Sequence, residues 1–166
     1  MYTIIAVDPG LDGAIAALKA DATLTVWDMP THEKVVGSGV RREIVRATVA
    51  QIFAQFDPKE SEVWIEDVGG LPGQSAPAAF QFGVGAERVA CLAWARGLPM
   101  HFVAPARWKR AVGIKSKGKK DDSRARAAQV YPGNAALWAA AKDHGRAEAA
   151  LLAYYGMEQR QLRCIL

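Results

Sequence analysis

The chain has 166 residues, 51% apolar and 23% charged, which suits one folded domain over 1–166 and excludes a disordered or fibrous polypeptide. The net charge of +4 is unevenly spread: between Arg107 and Arg126 nine Lys and Arg residues oppose only Asp121 and Asp122, so that stretch carries +7 and the remainder −3, a concentration that a phosphate-binding surface requires. Cys91 and Cys164 match no metal-ligand spacing, no apolar run is long enough to span a bilayer, and the opening residues are no secretory signal, so the expectation is a soluble, intracellular protein with reduced thiols.

In chain order, residues 2–8 predict a buried strand ending at Asp8, followed by Pro9-Gly10 and Asp12-Gly13 as turn chemistry. Residues 13–19 and 22–28 predict two further strands on short links, an antiparallel meander. Residues 31–40 are expected to be a loop, and 41–56 a helix whose Ile44, Val45, Val49, Ile52, Phe53 and Phe56 follow helical spacing. Residues 62–68 form the next strand, again ending in carboxylates, Glu66 and Asp67. A Gly/Pro-rich loop, Val68 to Ser75, leads into a long helix over 77–96 that stops at Gly97. A short strand at 100–103, a short helix from Trp108 to Gly113, a basic loop at 115–120, and a helix from Asp121 or Asp122 to before Pro132 follow. Two helices, about 134–142 and 145–156, complete the pattern. The order implies an α/β fold with a mixed five-stranded sheet, an antiparallel meander plus parallel strands, flanked by helices.

Asp8 and Glu66 both leave apolar strands at their carboxyl ends, where open α/β sheets bind ligands. Two carboxylates side by side repel each other unless a cation or a proton compensates, and hard oxygen donors favour Mg²⁺ or Mn²⁺. Glu148 lies among alanines and leucines on the last helix, where a carboxylate is rarely buried without a partner. Asp143, five residues earlier, would stand about 140° away at roughly 100° per helical residue, so both reach one site only if Asp143 is at or before the N-cap. His144, four residues before Glu148, shares its face. Asp143 is preferred here as the third ligand, with His144 as the alternative.

Val7-Asp8-Pro9-Gly10 after an apolar strand, Trp64-Ile65-Glu66, and the Asp143/Glu148 helix resemble RuvC-type Holliday-junction resolvases of the RNase H-like superfamily. Leu71-Pro72-Gly73-Gln74, Ala79-Phe80-Gln81-Phe82-Gly83, Pro105-Ala106-Arg107-Trp108-Lys109, Lys120-Asp121-Asp122-Ser123-Arg124 and Asp143 to Ala149 are similar to a phage and organellar branch of that family. The resemblance implies an RNase H-like fold, and Asp8, Glu66, Asp143 and Glu148 as ligands of two Mg²⁺ ions (Mn²⁺ being an alternative). It also implies Lys119 or Lys120 near the scissile phosphate, a homodimer, branched DNA as substrate, and a bacterial or phage origin. Where many members carry Asp or His three residues before the final acid, this chain has Gly145.

The reaction implied is paired, symmetric phosphodiester hydrolysis of a four-way junction, as in DNA recombination and repair. Gln74, Ser75, Phe80, Phe82, Arg107, Lys109, Lys115, Lys117 and Arg124 are the candidates for DNA contact. Two residues apart on a helix, Phe80 and Phe82 cannot share a face, and Phe80 is expected to be the more exposed. Trp27, Trp64, Trp94, Trp108 and Trp138 are expected to pack. The long helix 77–96, rich in Ala and Gly, is the expected dimer interface. A non-cleaving branched-DNA-binding module and an RNase H-like nuclease acting on RNA–DNA hybrid remain open as other readings.

Overall fold

The computed structural model of the protein describes residues 1–67, 69, 73, 75–114 and 120–165, with Lys120 described by its backbone alone. Five strands make the main sheet: β1 (Thr3–Asp8), β2 (Ala14–Lys19), β3 (Leu24–Asp28), β6 (Ser61–Glu66) and β7 (Met100–Val103), in the order β3-β2-β1-β6-β7. The first three form the antiparallel meander, and β6 runs parallel to both β1 and β7. The sheet is mixed, as its sequence pattern implies.

Alternation along β1 feeds two cores, because successive side chains leave a strand on opposite faces. Ile4 and Ala6 pack with Ala14, Ala16, Leu18 and Trp64 beneath α5 (His144–Ile165). Ile5 and Val7 pack with Ile15, Val63 and Ile65 against α1 (Arg46–Ala54) and α2 (Ala76–Ala95). Between β7 and α5 come α3 (Pro105–Ala111), α4 (Lys120–Val130) and two 3-10 segments, Pro132–Trp138 and Ala141–Asp143.

Four expectations need correction. The loop expected at 31–40 is the first part of a separate antiparallel hairpin, β4 (Thr31–Val36) and β5 (Gly39–Ile44). The helix expected from 41 therefore begins only at Arg46, since Arg41 to Ile44 pair with Thr31 to Lys34. Ile44 still meets the core that helical spacing assigned it to, but from the end of a strand. The helix expected over 134–142 consists of short 3-10 turns. Among the tryptophans, Trp64, Trp108 and Trp138 are buried, while Trp94 is 74% exposed on α2 and is no core residue. Among the described residues, no helix is long and apolar enough to cross a membrane.

The stripe of α5 that carries Gly145, Ala149, Ala153 and Gly156 is built of small residues, all four buried. Gly156 shows how close the approach is. A Cβ there would lie 2.8 Å from Cγ2 of Ile4 and 2.9 Å from Cδ1 of Trp64. The Trp64 ring cannot yield easily, since its Nε1 donates to Glu62 at 3.0 Å and His101 stacks on it at 4.6 Å. Gly156→Ala is therefore expected to destabilise. Overpacking of about 1–3 kcal/mol outweighs a helix-propensity gain of up to about 1 kcal/mol. Thermal unfolding checks this, and an unchanged or raised Tm would mean that α5 can lift from the sheet.

Candidate active site

Parity and register assemble the first pair. Asp8 follows Ile4 and Ala6 on the α5 face of β1, and Glu66 follows Trp64 on the same face of β6. Because Ala6 pairs with Trp64 and Val7 with Ile65, the next position along puts Asp8 beside Glu66 at the carboxyl edge. Glu148, on the second turn of α5, faces the same edge.

The turn after β1 fixes Asp8. The Gly10 amide donates to its Oδ1 at 3.1 Å, and the Gly13 amide donates to the Gly10 carbonyl at 3.0 Å. Gly13 must be glycine, because a Cβ would stand 2.2 Å from the Asp8 carbonyl oxygen. Gly145 presses on the same turn from α5, and a Cβ there would lie 2.3 Å from the Asp12 carbonyl oxygen. No side chain, and so no ligand, fits at 145.

Lys109 lies within the acidic cluster. Its Nζ donates to Oε1 of Glu148 at 3.0 Å and lies 3.9 Å from Oε1 of Glu66. Trp108, one position earlier on α3 and 1% exposed, donates its indole N–H to the same Glu66 oxygen at 3.0 Å. Ser123 of α4 donates to Glu148 at 2.9 Å. Sequence reasoning placed Lys109 on the DNA surface and Trp108 in the core, and gave Ser123 no role. The Trp108-Lys109 dipeptide at the start of the basic stretch was the available signal.

Electrostatics confirm the crowding. Burial is the main influence on Asp8; the Gly10 amide opposes it, Glu148 adds to it, and Lys109 and His144 offset it, leaving the carboxyl raised to about 6. Burial and then the Asp8 charge push Glu66 up to about 7, with Glu148 in the same direction and Lys109 and Trp108 opposing. Glu62, on the same face of the same strand, moves the other way. Burial raises it, but the Trp64 indole, Arg163 and His101 outweigh that and hold it below its ordinary value. Glu62 is a satisfied structural carboxylate, whereas Glu66 stands among like charges.

Asp143 and His144 separate at this point. Asp143 turns back, accepts from the Ala140 amide at 3.0 Å and sits 3.6 Å from Arg146, whose guanidinium also grips Asp28. It acts as a cap. His144 lines the same cleft of about 540 Å³ as Asp8, Gly10, Arg42, Phe82 and Arg88, and its Nδ1 is buried with no hydrogen-bond partner among the described residues. Among the described residues no three His, Cys, Asp or Glu side chains stand close enough together to hold one ion. The ammonium of Lys109 occupies the space between Glu66 and Glu148. The donor chemistry nonetheless fits a hard divalent cation: three carboxylates with unfavourable mutual repulsion, beside an imidazole nitrogen lacking a partner.

The residues expected on DNA divide by environment. Phe80 is 67% exposed, Phe82 lines the cleft, and Arg107 is exposed on α3. Ser75 is the N-cap of α2, accepting from the Ala78 amide at 3.4 Å. Arg124 is held inward by the Ala139 carbonyl at 2.9 Å and by Asp121, which makes it a brace between α4 and the following 3-10 segment. Gln74, Lys115, Lys117 and Lys119 lie outside the described residues; Lys120 opens α4.

No family model matches the chain, and no curated protein is similar to it. Solved structures do match. Thermus thermophilus RuvC is 14% identical with a TM-score of 0.55, over 95% of this chain and 96% of that one. T. thermophilus RuvC in complex with Holliday junction substrate is 13% identical with a TM-score of 0.64, over 98% and 96%. The chain therefore has the RuvC-type, RNase H-like fold.

The raised Glu66 carboxyl has a measurable consequence. Between its ordinary value near 4 and about 7, the folded chain keeps a proton on Glu66 that the unfolded chain has released, so this group's contribution to stability falls as pH rises through that window. Glu66→Gln should match the metal-free wild type near pH 4 and exceed it above pH 7 by on the order of 3 kcal/mol. Urea unfolding of both proteins at several pH values checks this, and a wild type more stable than the variant at pH 8 would contradict it.

Proposed function

We propose that residues 1–166 form one metal-dependent endonuclease domain that cuts four-way DNA junctions as a homodimer. The observation that carries this reading is the meeting of Asp8, Glu66 and Glu148 around Lys109, with the unpartnered Nδ1 of His144 alongside. A carboxylate cluster balanced by one lysine is a poor structural device, since burial and repulsion both oppose it; it suits a site that accepts a cation with its substrate.

Asp8, Glu66, Glu148 and His144 would hold the metal, with Mg²⁺ the ion their oxygen-rich chemistry favours and Mn²⁺ the close substitute. When bound, such ions supply an activated water and neutralise charge on the leaving oxygen. Asp143 is left holding the Ala140 amide at the start of the 3-10 turn that precedes α5. Lys109, already at the carboxylates, would turn towards the scissile phosphate and offset charge developing there, while Trp108 keeps Glu66 aimed at the edge. Lys119 and Lys120 follow α3 in the chain and remain candidates for the same phosphate.

Branched DNA is favoured as substrate over RNA–DNA hybrid because the solved structure with the higher TM-score is a complex with Holliday junction substrate, and the match covers 98% of this chain and 96% of that one. The exposed Arg107 and the basic 107–126 stretch supply phosphate contacts. Phe80, at the start of α2 and open to solvent, is placed to meet unstacked bases. A two-fold dimer matches the near two-fold symmetry of a four-way junction. The exposed face of α2, with Trp94 at its far end, is the candidate interface.

Purified protein incubated with labelled four-way junction, linear duplex and RNA–DNA hybrid, with and without Mg²⁺, tests the reading. Paired symmetric nicks in the junction alone are expected; hybrid degradation, or binding without cutting, would overturn it. Asp8→Asn should keep junction binding and lose at least about 10²-fold in cleavage.

His144→Ala should weaken Mn²⁺ binding measured by calorimetry, and Asp143→Asn should leave it near wild type. The reverse pattern would restore Asp143 as the ligand.

A further inference from the structure

The β4–β5 hairpin is the part of the molecule that the site above leaves unused. Its root is firmly tied. Ile44 is buried in the α1–α2 core, the Val45 amide donates to the Pro30 carbonyl at 2.8 Å, and Arg42 donates to the Leu11 carbonyl at 2.7 Å while pairing with Asp12 at 2.6 Å. Arg42, Glu43 and Ile44 also line the cleft that holds Asp8. Beyond the root, every residue from His32 to Arg41 is exposed. A two-stranded ribbon standing in water is marginal without something to pack on.

Its side chains make the arrangement less favourable still. Val35 and Val40 pair across the strands and are 76% and 60% exposed, beside the Gly37-Ser38 turn. Directly next to them Lys34 pairs with Arg41. Like charges opposite one another destabilise a strand pair. Lys34 gains partial relief from Glu43 at 3.5 Å, but Arg41 has no acidic partner among the described residues. A hairpin tip made of open valines and facing cations conflicts with its own stability, and such conflicts belong to surfaces that another molecule completes.

We infer that this hairpin is a DNA-binding arm that enters the major groove of the duplex next to the cleavage site. The inference rests on the branched-DNA reading above. A two-stranded ribbon fits the width of the major groove, where thymine methyl groups offer valines an apolar contact. Lys34 and Arg41 then meet phosphates, which removes their mutual repulsion. Because the root of the hairpin forms one wall of the Asp8 cleft, the duplex it holds is the one whose strand reaches the carboxylates. Arg42 links the arm to the turn that carries Asp8, so the contact also bears on the position of that carboxylate.

The test is binding of a labelled four-way junction in metal-free buffer at several salt concentrations. Arg41→Ala should bind roughly fivefold more weakly at about 0.15 M salt, with the log K against log salt slope flatter by about one, as loss of one phosphate contact requires. Arg41→Lys should recover the slope, which separates lost charge from a disturbed hairpin. The pair Val35→Ser with Val40→Ser should weaken binding with an unchanged slope. If Arg41→Ala matches wild type in both affinity and slope while wild type binds and cuts the junction, the arm is refuted and the nuclease reading stands. If wild type binds no branched DNA, both fall.

Discussion

Repulsion among Asp8, Glu66 and Glu148 is the constraint around which this end of the molecule is built. Strand parity and register bring the first two together, and the small-residue face of α5 lets the third approach. Nothing in the apolar core gains from that meeting. What holds it is local: the Gly10 amide on Asp8, the Trp108 indole on Glu66, Ser123 on Glu148, and the Lys109 ammonium between two of the acids. Glu62 shows what the same sheet does with a carboxylate meant only for stability. There Tyr2, Trp64 and Arg163 donate to it directly, and its acidity is strengthened. Two carboxylates four residues apart on one strand are thus pushed in opposite directions by their surroundings, and the destabilised one lies at the edge where ligands bind.

The sheet was largely readable from sequence, because alternating or continuous apolar runs bounded by Pro-Gly and Asp-Gly determine both strand positions and the parallel crossover. Asp8 and Glu66 were readable for the same reason: each ends such a run. The hairpin was not. Between Val40 and Ile44 three polar residues intervene, a spacing that joins smoothly to Val45 and Val49 as a helical pattern, and Ile44 does reach the helical core, so periodicity alone favoured a longer α1. Glycines at 37 and 39 suggested a loop, while the cross-strand pairing that makes them a hairpin tip is a tertiary fact.

The site beyond the first two acids was only partly legible. Helical geometry already warned that Asp143 and Glu148 could not share a face, and in the structure the Asp143 carboxylate accepts from the Ala140 amide ahead of α5. Which way a residue at a helix start turns depends on the nearest unpaired amide, here that of Ala140, and no spacing rule contains that information. Lys109 and Trp108 sat inside a basic stretch and an aromatic inventory, respectively, where composition suggests phosphate contact and packing. Their roles follow from α3 ending beside β6, which the sequence does not specify.

Gly145 explains why the cluster takes this form. The resemblance to RuvC-type resolvases places an acid or a histidine at that position in many members, yet here the start of α5 lies against the Asp12–Gly13 backbone more closely than any Cβ permits. The helix gains intimate contact with the turn that carries Asp8 and loses the side chain at 145. The nearest group able to substitute from the same helix is that of His144, one residue earlier, on the face of Glu148 and lining the Asp8 cleft, and its buried Nδ1 has no partner among the described residues. Close packing at Gly145 and the unpartnered nitrogen of His144 one residue earlier are therefore two sides of one adjustment: the helix start lies too close to the turn for a side chain at 145, and under the proposed reading His144 would supply the group that position 145 cannot.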